Sequence, residues 1–246
     1  MSLGSPLHRL ATTTSTNDEA KRGARAGAPH GATWVTEEQT AGRGRQGRSW
    51  ISPRGENLLF SVLLRVDCVP SRLPLVAIVA GLAVRDAVAR AAPRADVRIK
   101  WPNDVLVGSK KIAGILVEAI TVGRRIEAVV VGAGVNVHTR LFPDELAERA
   151  TSVSLVSSEP PDRDALLGHV LEDIDHDLHV VLARGLGLLR ARVDAADALR
   201  GKRVRNDSGD AGMAGGIDDE GRLLVRRDDG VLTRWSAGEV HLVTAG

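Results

Sequence analysis

The chain has 246 residues, of which 43% are hydrophobic and 26% charged. This balance excludes a disordered polymer and allows one large core, or a large and a small one. Its 33 basic and 31 acidic residues leave a net charge of only +2, and aromatics make up 2% with no tyrosine, so neither a nucleic-acid-coating charge excess nor an aromatic base-stacking platform is expected.

The single cysteine, Cys68, excludes an intrachain disulfide and a cysteine-built zinc site, and reads as a small hydrophobe near a strand end. The first ten residues lack the apolar core of a signal peptide, and Arg or Pro cuts the apolar stretches elsewhere well before about 18 residues. A cytoplasmic protein with no membrane contact is expected.

In chain order, the N-cap formers and acids of Thr14 to Glu19 predict a short helix that runs through Ala20 to Ala26 and stops at Gly27 and Pro29. Ala32 to Glu37 and the nearly all-apolar Leu58 to Val66 predict strands, with a Gly- and Arg-loaded loop, Thr40 to Gly55, between them. Leu73 to Ala91 carries apolar residues at helical spacing and ends before Pro93, which predicts the long helix that covers a sheet. Four strands follow, Val97 to Trp101, Val105 to Val107, Ile112 to Ala119 and Ile126 to Val137; the short turns between them imply antiparallel pairing.

Asp164 to Ala183 repeats Leu, Val and Ile at three- and four-residue steps and predicts an amphipathic helix, with a shorter one over Leu188 to Leu199. Beyond Gly201 the texture changes to short strand-like runs, Lys202 to Arg205, Gly212 to Ile217, Arg222 to Arg226 and Leu232 to Ser236, as in a small barrel, with Gly209 to Gly216 as a mobile hairpin tip. The expected organisation is a main domain over 1–199 and a small β-barrel over 200–246.

The stretch Gly42-Arg43-Gly44-Arg45-Gln46-Gly47-Arg48 combines glycines, which let backbone approach a ligand, with arginines, whose forked donors suit phosphate and carboxylate. It reads as an anion cradle or as a solvated basic loop. It is neither a Walker A loop nor a dinucleotide fingerprint, because no Gly-Lys-Ser/Thr closes it and no helix follows. Lys100-Trp101-Pro102-Asn103-Asp104 sets a cation, an indole and a carboxylate around a proline turn, and Lys111 heads the apolar strand Ile112-Ala113-Gly114-Ile115-Leu116. Val131-Gly132-Ala133-Gly134-Val135-Asn136 places two glycines in a buried strand, so that a ligand ring or a neighbouring helix packs against its backbone.

Taken in order, with Ser15-Thr16-Asn17 and Gln39 ahead of the arginine loop and Trp50, and with Gly216-Ile217-Asp218, Gly221 and Leu223 behind, these motifs resemble the biotin–protein ligase family over nearly the whole chain from Thr12. The resemblance implies an α+β fold, a mixed and largely antiparallel sheet covered by helices as in class II aminoacyl-tRNA synthetases, with a small C-terminal SH3-like barrel. It implies an ATP-dependent ligase that forms biotinyl-5'-AMP and transfers biotin to a lysine of the biotin carboxyl carrier domain of acetyl-CoA carboxylase. By the same similarity Ser15, Thr16, Asn17, Gln39, Arg43, Gly44, Arg45, Lys111 and Gly114 contact biotin, and Arg45, Arg48, Trp50, Lys100, Asn103, Asp104, Ile115 and Asn136 contact ATP or the adenylate.

Lys111, Arg43 and Arg45 are the candidate catalytic groups, since cations must neutralise the biotin carboxylate and the α-phosphate as they meet. Mg²⁺ is expected with ATP, with the oxygens of Asp104 or Asn136 near it through water.

Only about a dozen residues precede Ser15, too few for a helix-turn-helix, so ligase activity without a repressor function is expected. Gly215 stands where a basic residue is common in relatives, which puts the C-terminal domain's ATP contacts in question. A lipoate or octanoyl ligase of the same superfamily and a nucleic-acid-binding module are the competing readings; the expected state is a monomer or weak homodimer that binds neither nucleic acid nor membrane.

Overall fold

The computed structural model describes residues 2–66, 69–123 and 125–243; Cys68, expected near a strand end, lies outside the described residues. The apolar runs of the sequence become one seven-stranded mixed sheet of order β1-β2-β3-β7-β6-β5-β4. Its strands are β1 (Leu7–Leu10), β2 (Thr33–Thr36), β3 (Leu58–Leu64), β4 (Val97–Lys100), β5 (Asp104–Val107), β6 (Lys110–Val122) and β7 (Arg125–Val135). Only β1 and β2 pair in parallel. All seven residues of β3 are buried, which explains why its sequence shows no polar alternation.

One face of the sheet carries α2 (Leu73–Ala91), which packs on β4 and β6 and against α5 (Arg163–Arg184). The α5 helix starts where Asp162 accepts the backbone N–H groups of Asp164 and Ala165. The other face carries α1 (Thr16–Arg25), whose Ala20 and Ala24 pack on Trp34, Leu63, Ala128 and Val130. Two one-turn helices, α3 (Asp144–Ala147) and α4 (Val153–Val156), lie between β7 and α5, and α6 (Arg190–Ala196) follows α5.

The C-terminal strands β8 (Arg203–Asn206), β9 (Ala211–Ile217), β10 (Leu223–Arg226), β11 (Leu232–Trp235) and β12 (Val240–Leu242) form a five-stranded antiparallel sheet of order β11-β10-β9-β8-β12. Its buried Val204, Ile217, Leu223, Val225 and Trp235 belong to the same apolar cluster as the main core. The fully buried Trp101 also donates its Nε1–H to the Gly221 carbonyl at 2.9 Å. The small sheet is therefore seated on the larger body through apolar packing and a buried hydrogen bond.

Two expectations are corrected. Gly209 to Gly216 is not a loose hairpin tip: Ala211–Ile217 is strand β9, paired on both sides, and Gly212 lies so close to the Arg226 backbone that a side chain would not fit. The helix expected over Leu188 to Leu199 is shorter, Arg190–Ala196, preceded by a 3₁₀ turn over Gly185–Leu189. The strands β1 and β12 and the helices α3 and α4 carry too few residues to show a period. Thus β1, Leu-His-Arg-Leu, is a strand because β2 offers it an edge.

Candidate active site

The site forms on the α1 face of the sheet, where glycines leave the backbone of β6 and β7 bare. Gly114 pairs with Gly134 across the two strands, Leu116 with Gly132, and Ser61 of β3 with Gly132 from the other side. Asn17, in the first turn of α1, fills the space a Gly132 side chain would need, and the Trp50 indole packs against Gly134, where a Cβ would stand 2.5 Å from its ring. The glycine strand thus receives both a helix residue and an aromatic ring.

A chain of buried polar groups runs beneath. Ser61 Oγ is 2.6 Å from Asn17 Oδ1 and 2.7 Å from Thr16 Oγ1; the Thr16 backbone N–H donates to Gln39 Oε1 at 2.8 Å; Asn17 Nδ2 donates to Glu118 Oε2 at 2.7 Å. Ser15 is the extended N-cap of α1 and makes no side-chain cap bond. Such a set of hydroxyl, amide and carboxylate groups can read a small neutral heterocycle by a few directional bonds.

The arginine loop is a hairpin. Trp50 N–H donates to the Gly42 carbonyl at 2.9 Å and Gly44 N–H to the Arg48 carbonyl at 2.7 Å, and one 3₁₀ turn over Arg45–Gly47 forms the tip, with Gln46 at φ 54°. Its guanidiniums take three different partners. Arg43 makes a bidentate pair with Asp18, 2.6 Å on each arm, with Glu118 at 3.7 Å. The pair raises the Arg43 guanidinium and lowers the Asp18 carboxyl, the hydrogen bonds being the main cause. Arg48 pairs with Glu239 of the C-terminal sheet.

Arg45 alone of the three has no ion-pair partner among the described residues. Its Nη1 donates to neutral oxygens, Asn103 Oδ1 at 3.0 Å and the Gly238 carbonyl at 3.4 Å, and burial draws it below its ordinary value. A desolvated guanidinium held only by neutral acceptors is ready for an anion.

Lys111 Nζ lies 2.7 Å from Asp104 Oδ1 and 5.5 Å from the Trp50 ring centroid, above Gly114. A register shift between Val105 and Leu106 sets Leu106 opposite Lys111. Asn103 closes the neighbouring turn: its Nδ2 donates to the Ile115 carbonyl at 3.1 Å and its carbonyl accepts the Ile115 N–H at 2.9 Å. Lys100, at the end of β4, has no ion-pair partner among the described residues and helps hold the Glu239 carboxyl down, though Arg48 contributes more.

Asn136 is placed differently from the rest. It is buried just past β7, and its amide donates to the Thr151 carbonyl at 3.0 Å, which ties down the chain before α4. Among the described residues the one grouping of His, Cys, Asp or Glu spaced for a metal is His30, Asp175 and His179, between the α1–β2 loop and α5. No described helix is long and apolar enough to cross a membrane.

The structure therefore brings Thr16, Asn17, Gln39, Arg43, Arg45, Trp50, Asn103, Asp104, Lys111 and Gly114 together as neighbours around the bare glycines of β6 and β7. Sequence reasoning missed Asp18, Ser61, Glu118, Gly238 and Glu239. Asp18 and Glu118 directly extend motifs that were noticed, whereas Ser61 sits in a run of apolar residues and becomes visible only through its register with Gly132.

Residues 10–136 match the model of the Biotin/lipoate A/B protein ligase family, and residues 201–243 that of the Biotin protein ligase C terminal domain. A biotin–acetyl-CoA-carboxylase ligase of Mycobacterium tuberculosis is 36% identical over 245 residues, covering 96% of this chain and 89% of the relative. One from Paracoccus denitrificans is 35% identical, over 88% and 92%. The biotin protein ligase of Aquifex aeolicus, solved in complex with biotin and ATP, superposes with a TM-score of 0.82 at 28% identity, over 97% of this chain and 99% of that one. With its large mixed sheet, its C-terminal antiparallel sheet and these relatives, the chain belongs to the biotin/lipoate protein ligase family.

Proposed function

We propose that the protein joins biotin and ATP into biotinyl-5'-AMP, releasing pyrophosphate, and transfers the biotinyl group to one lysine of a carboxylase's biotin carboxyl carrier domain in the cytoplasm. The observation that carries this reading is Arg45: a half-buried cation with only neutral acceptors, in the same cleft as the polar cage of Thr16, Asn17, Ser61 and Gln39. One end of the site suits a neutral ring, and at the other Arg45 hydrogen-bonds only neutral oxygens, with Glu239 and Asp104 acting on it from beyond ion-pair distance.

In the first half-reaction a carboxylate oxygen attacks the α-phosphorus and pyrophosphate leaves. Two anions must approach, so the barrier falls when fixed cations face the charge that builds between them. Arg45 and Lys111 fill that role. Arg43 is already neutralised by Asp18, and Lys111 must shift from Asp104 toward the ligand. Ser15, Thr16, Asn17 and Gln39 bind the ureido ring, with Gly44 and Gly114 as bare backbone beside the tail; Arg48, Trp50, Lys100, Asn103, Ile115 and Asn136 form the nucleotide side. Magnesium enters with ATP as its substrate complex, and the oxygens of Asp104 and Asn136 are the groups that would stand near it through water.

In the second half-reaction the carrier amine attacks the acyl carbon, an amide forms, and AMP leaves. A free lysine, with a pKa of about 10.4, is neutral in on the order of one molecule in a thousand at pH 7, so the amine must give up its proton on approach; Asp104 is the nearest carboxylate to the Lys111 end of the cleft. The Gly42 to Arg48 hairpin covers the adenylate and keeps water from it. Residues 1–199 hold the chemistry, and residues 200–246 seat the hairpin through Gly238 and Glu239.

The test is calorimetric titration of biotin and Mg–ATP, separately and together, with mass analysis of the bound product and lipoate as a parallel arm. Biotinyl-adenylate is expected. Absence of biotin binding, or a preference for lipoate, sinks the proposal.

A further inference from the structure

We infer that Asp18 is a positioning residue for the biotin half of the site and acts through Arg43; the inference rests on the proposed function. Asp18 follows Asn17 directly and lies in the first turn of α1. Its two carboxylate oxygens each take one N–H of the Arg43 guanidinium, at 2.6 Å, in the planar two-bond geometry that fixes orientation as well as distance. Behind the pair stands Glu118, 3.7 Å from Arg43, held by the Asn17 amide and by Lys21.

Arg43 is also the residue at which the hairpin opens: it bridges to Ser49, and Gly42 beside it accepts the Trp50 N–H. Holding the Arg43 side chain on α1 therefore fixes the base of the hairpin relative to the residues that face the ureido ring. Two of five guanidinium N–H donors serve Asp18 and Nη2 also faces Glu118, so at most two remain free of a carboxylate. The charge of Arg43 is spent on Asp18, so its contribution is geometric, whereas the electrostatic one belongs to Arg45.

A competing role for Asp18, an acidic residue that merely complements the helix dipole, makes a different prediction. A dipole effect acts whether or not Arg43 is present. The positioning role vanishes without Arg43.

The experiment is a double-mutant cycle on the full chain with Asp18→Asn, Arg43→Gln and the double variant, read as biotin Kd, ATP Kd and the escape rate of preformed biotinyl-adenylate; Asp18→Ser replaces Asp18→Asn if that variant does not fold. Asp18→Asn is expected to weaken biotin binding about tenfold, with faster adenylate escape and ATP affinity within about twofold of the parent. The double variant is expected to bind biotin no more weakly than Arg43→Gln alone. Fold-losses that multiply in the double variant, or parental biotin affinity in Asp18→Asn, overturn the inference while leaving the proposed function standing. A parent that fails to bind biotin overturns both.

Discussion

The carboxamide of Asn17 occupies the space that a side chain on Gly132 would need, so a helix residue and a strand glycine are fitted to one another across the α1 face of the sheet. Ser61, the cross-strand partner of Gly132, hydrogen-bonds the same carboxamide. Gly132→Ala is expected to push Asn17 away from Ser61 and Glu118, to cost about 1–3 kcal/mol through overpacking, and to abolish high-affinity biotin binding. Thermal melting and biotin titration of one sample check both parts.

Arg45→Ala and Lys111→Ala are each expected to lower adenylate formation by roughly 10²–10³-fold, the scale seen when one fixed group facing developing charge is removed. Each side chain makes a few polar contacts, Lys111 with Asp104 and Arg45 with Asn103, so a modest fall in melting temperature is expected beside a far larger loss of rate. Single-turnover formation of biotinyl-adenylate measures the effect, and a parental rate in Lys111→Ala would remove it from the mechanism.

Asp197 carries a pH prediction. It is buried between α6 and β8, its Oδ1 accepts the Leu199 N–H at 2.8 Å, and its Oδ2 has no partner. Burial pushes its carboxyl above the ordinary value against the opposing pull of the backbone bonds. For an acid raised in the folded state, stability is greatest below the unfolded pKa of about 3.9 and falls as pH climbs through the folded value. Asp197→Asn keeps an acceptor for Leu199 and carries no charge, so it is expected to gain on the parent at pH 7 and match it near pH 4. Melting both proteins at the two pH values decides the matter.

Trp101→Phe is expected to destabilise the protein by about 1–3 kcal/mol, because the Gly221 carbonyl is left buried without its donor. The lost bond joins the Asn103 turn to the C-terminal sheet, so protease cleavage within 200–243 should become faster than in the parent. Limited proteolysis followed by mass analysis reads this directly.

Gly168 on α5 is exposed, and a Cβ there would meet nothing within 4 Å. Gly168→Ala is therefore expected to stabilise by roughly 0.5–1 kcal/mol through helix propensity alone. An unchanged or lower midpoint in urea unfolding would contradict it.

Much of the fold was legible because its elements are long and its punctuation strong. The Leu73–Ala91 helix appears with the bounds its apolar spacing and Pro93 imply, and the α5 signal was short by one residue at each end. The short strands β1 and β12 carry no period or flanking punctuation of their own and form because a neighbouring strand offers hydrogen bonds. The glycines of β9 read as slack, yet they are strand residues, and at Gly212 the Arg226 backbone approaches too closely for a side chain.

The site divides in the same way. Residue chemistry along the chain singled out the candidate groups: an arginine-glycine loop, a cation and carboxylate around a proline turn, and bare glycines in an apolar strand each announce themselves locally, because they depart from what a core or a surface needs. Which arginines are paired with carboxylates was decided only by the tertiary structure. Charge is a property of a residue, but its availability depends on the carboxylates brought beside it, and residues far apart in sequence, Asp18 and Glu239, neutralise Arg43 and Arg48 while Arg45 meets only neutral oxygens.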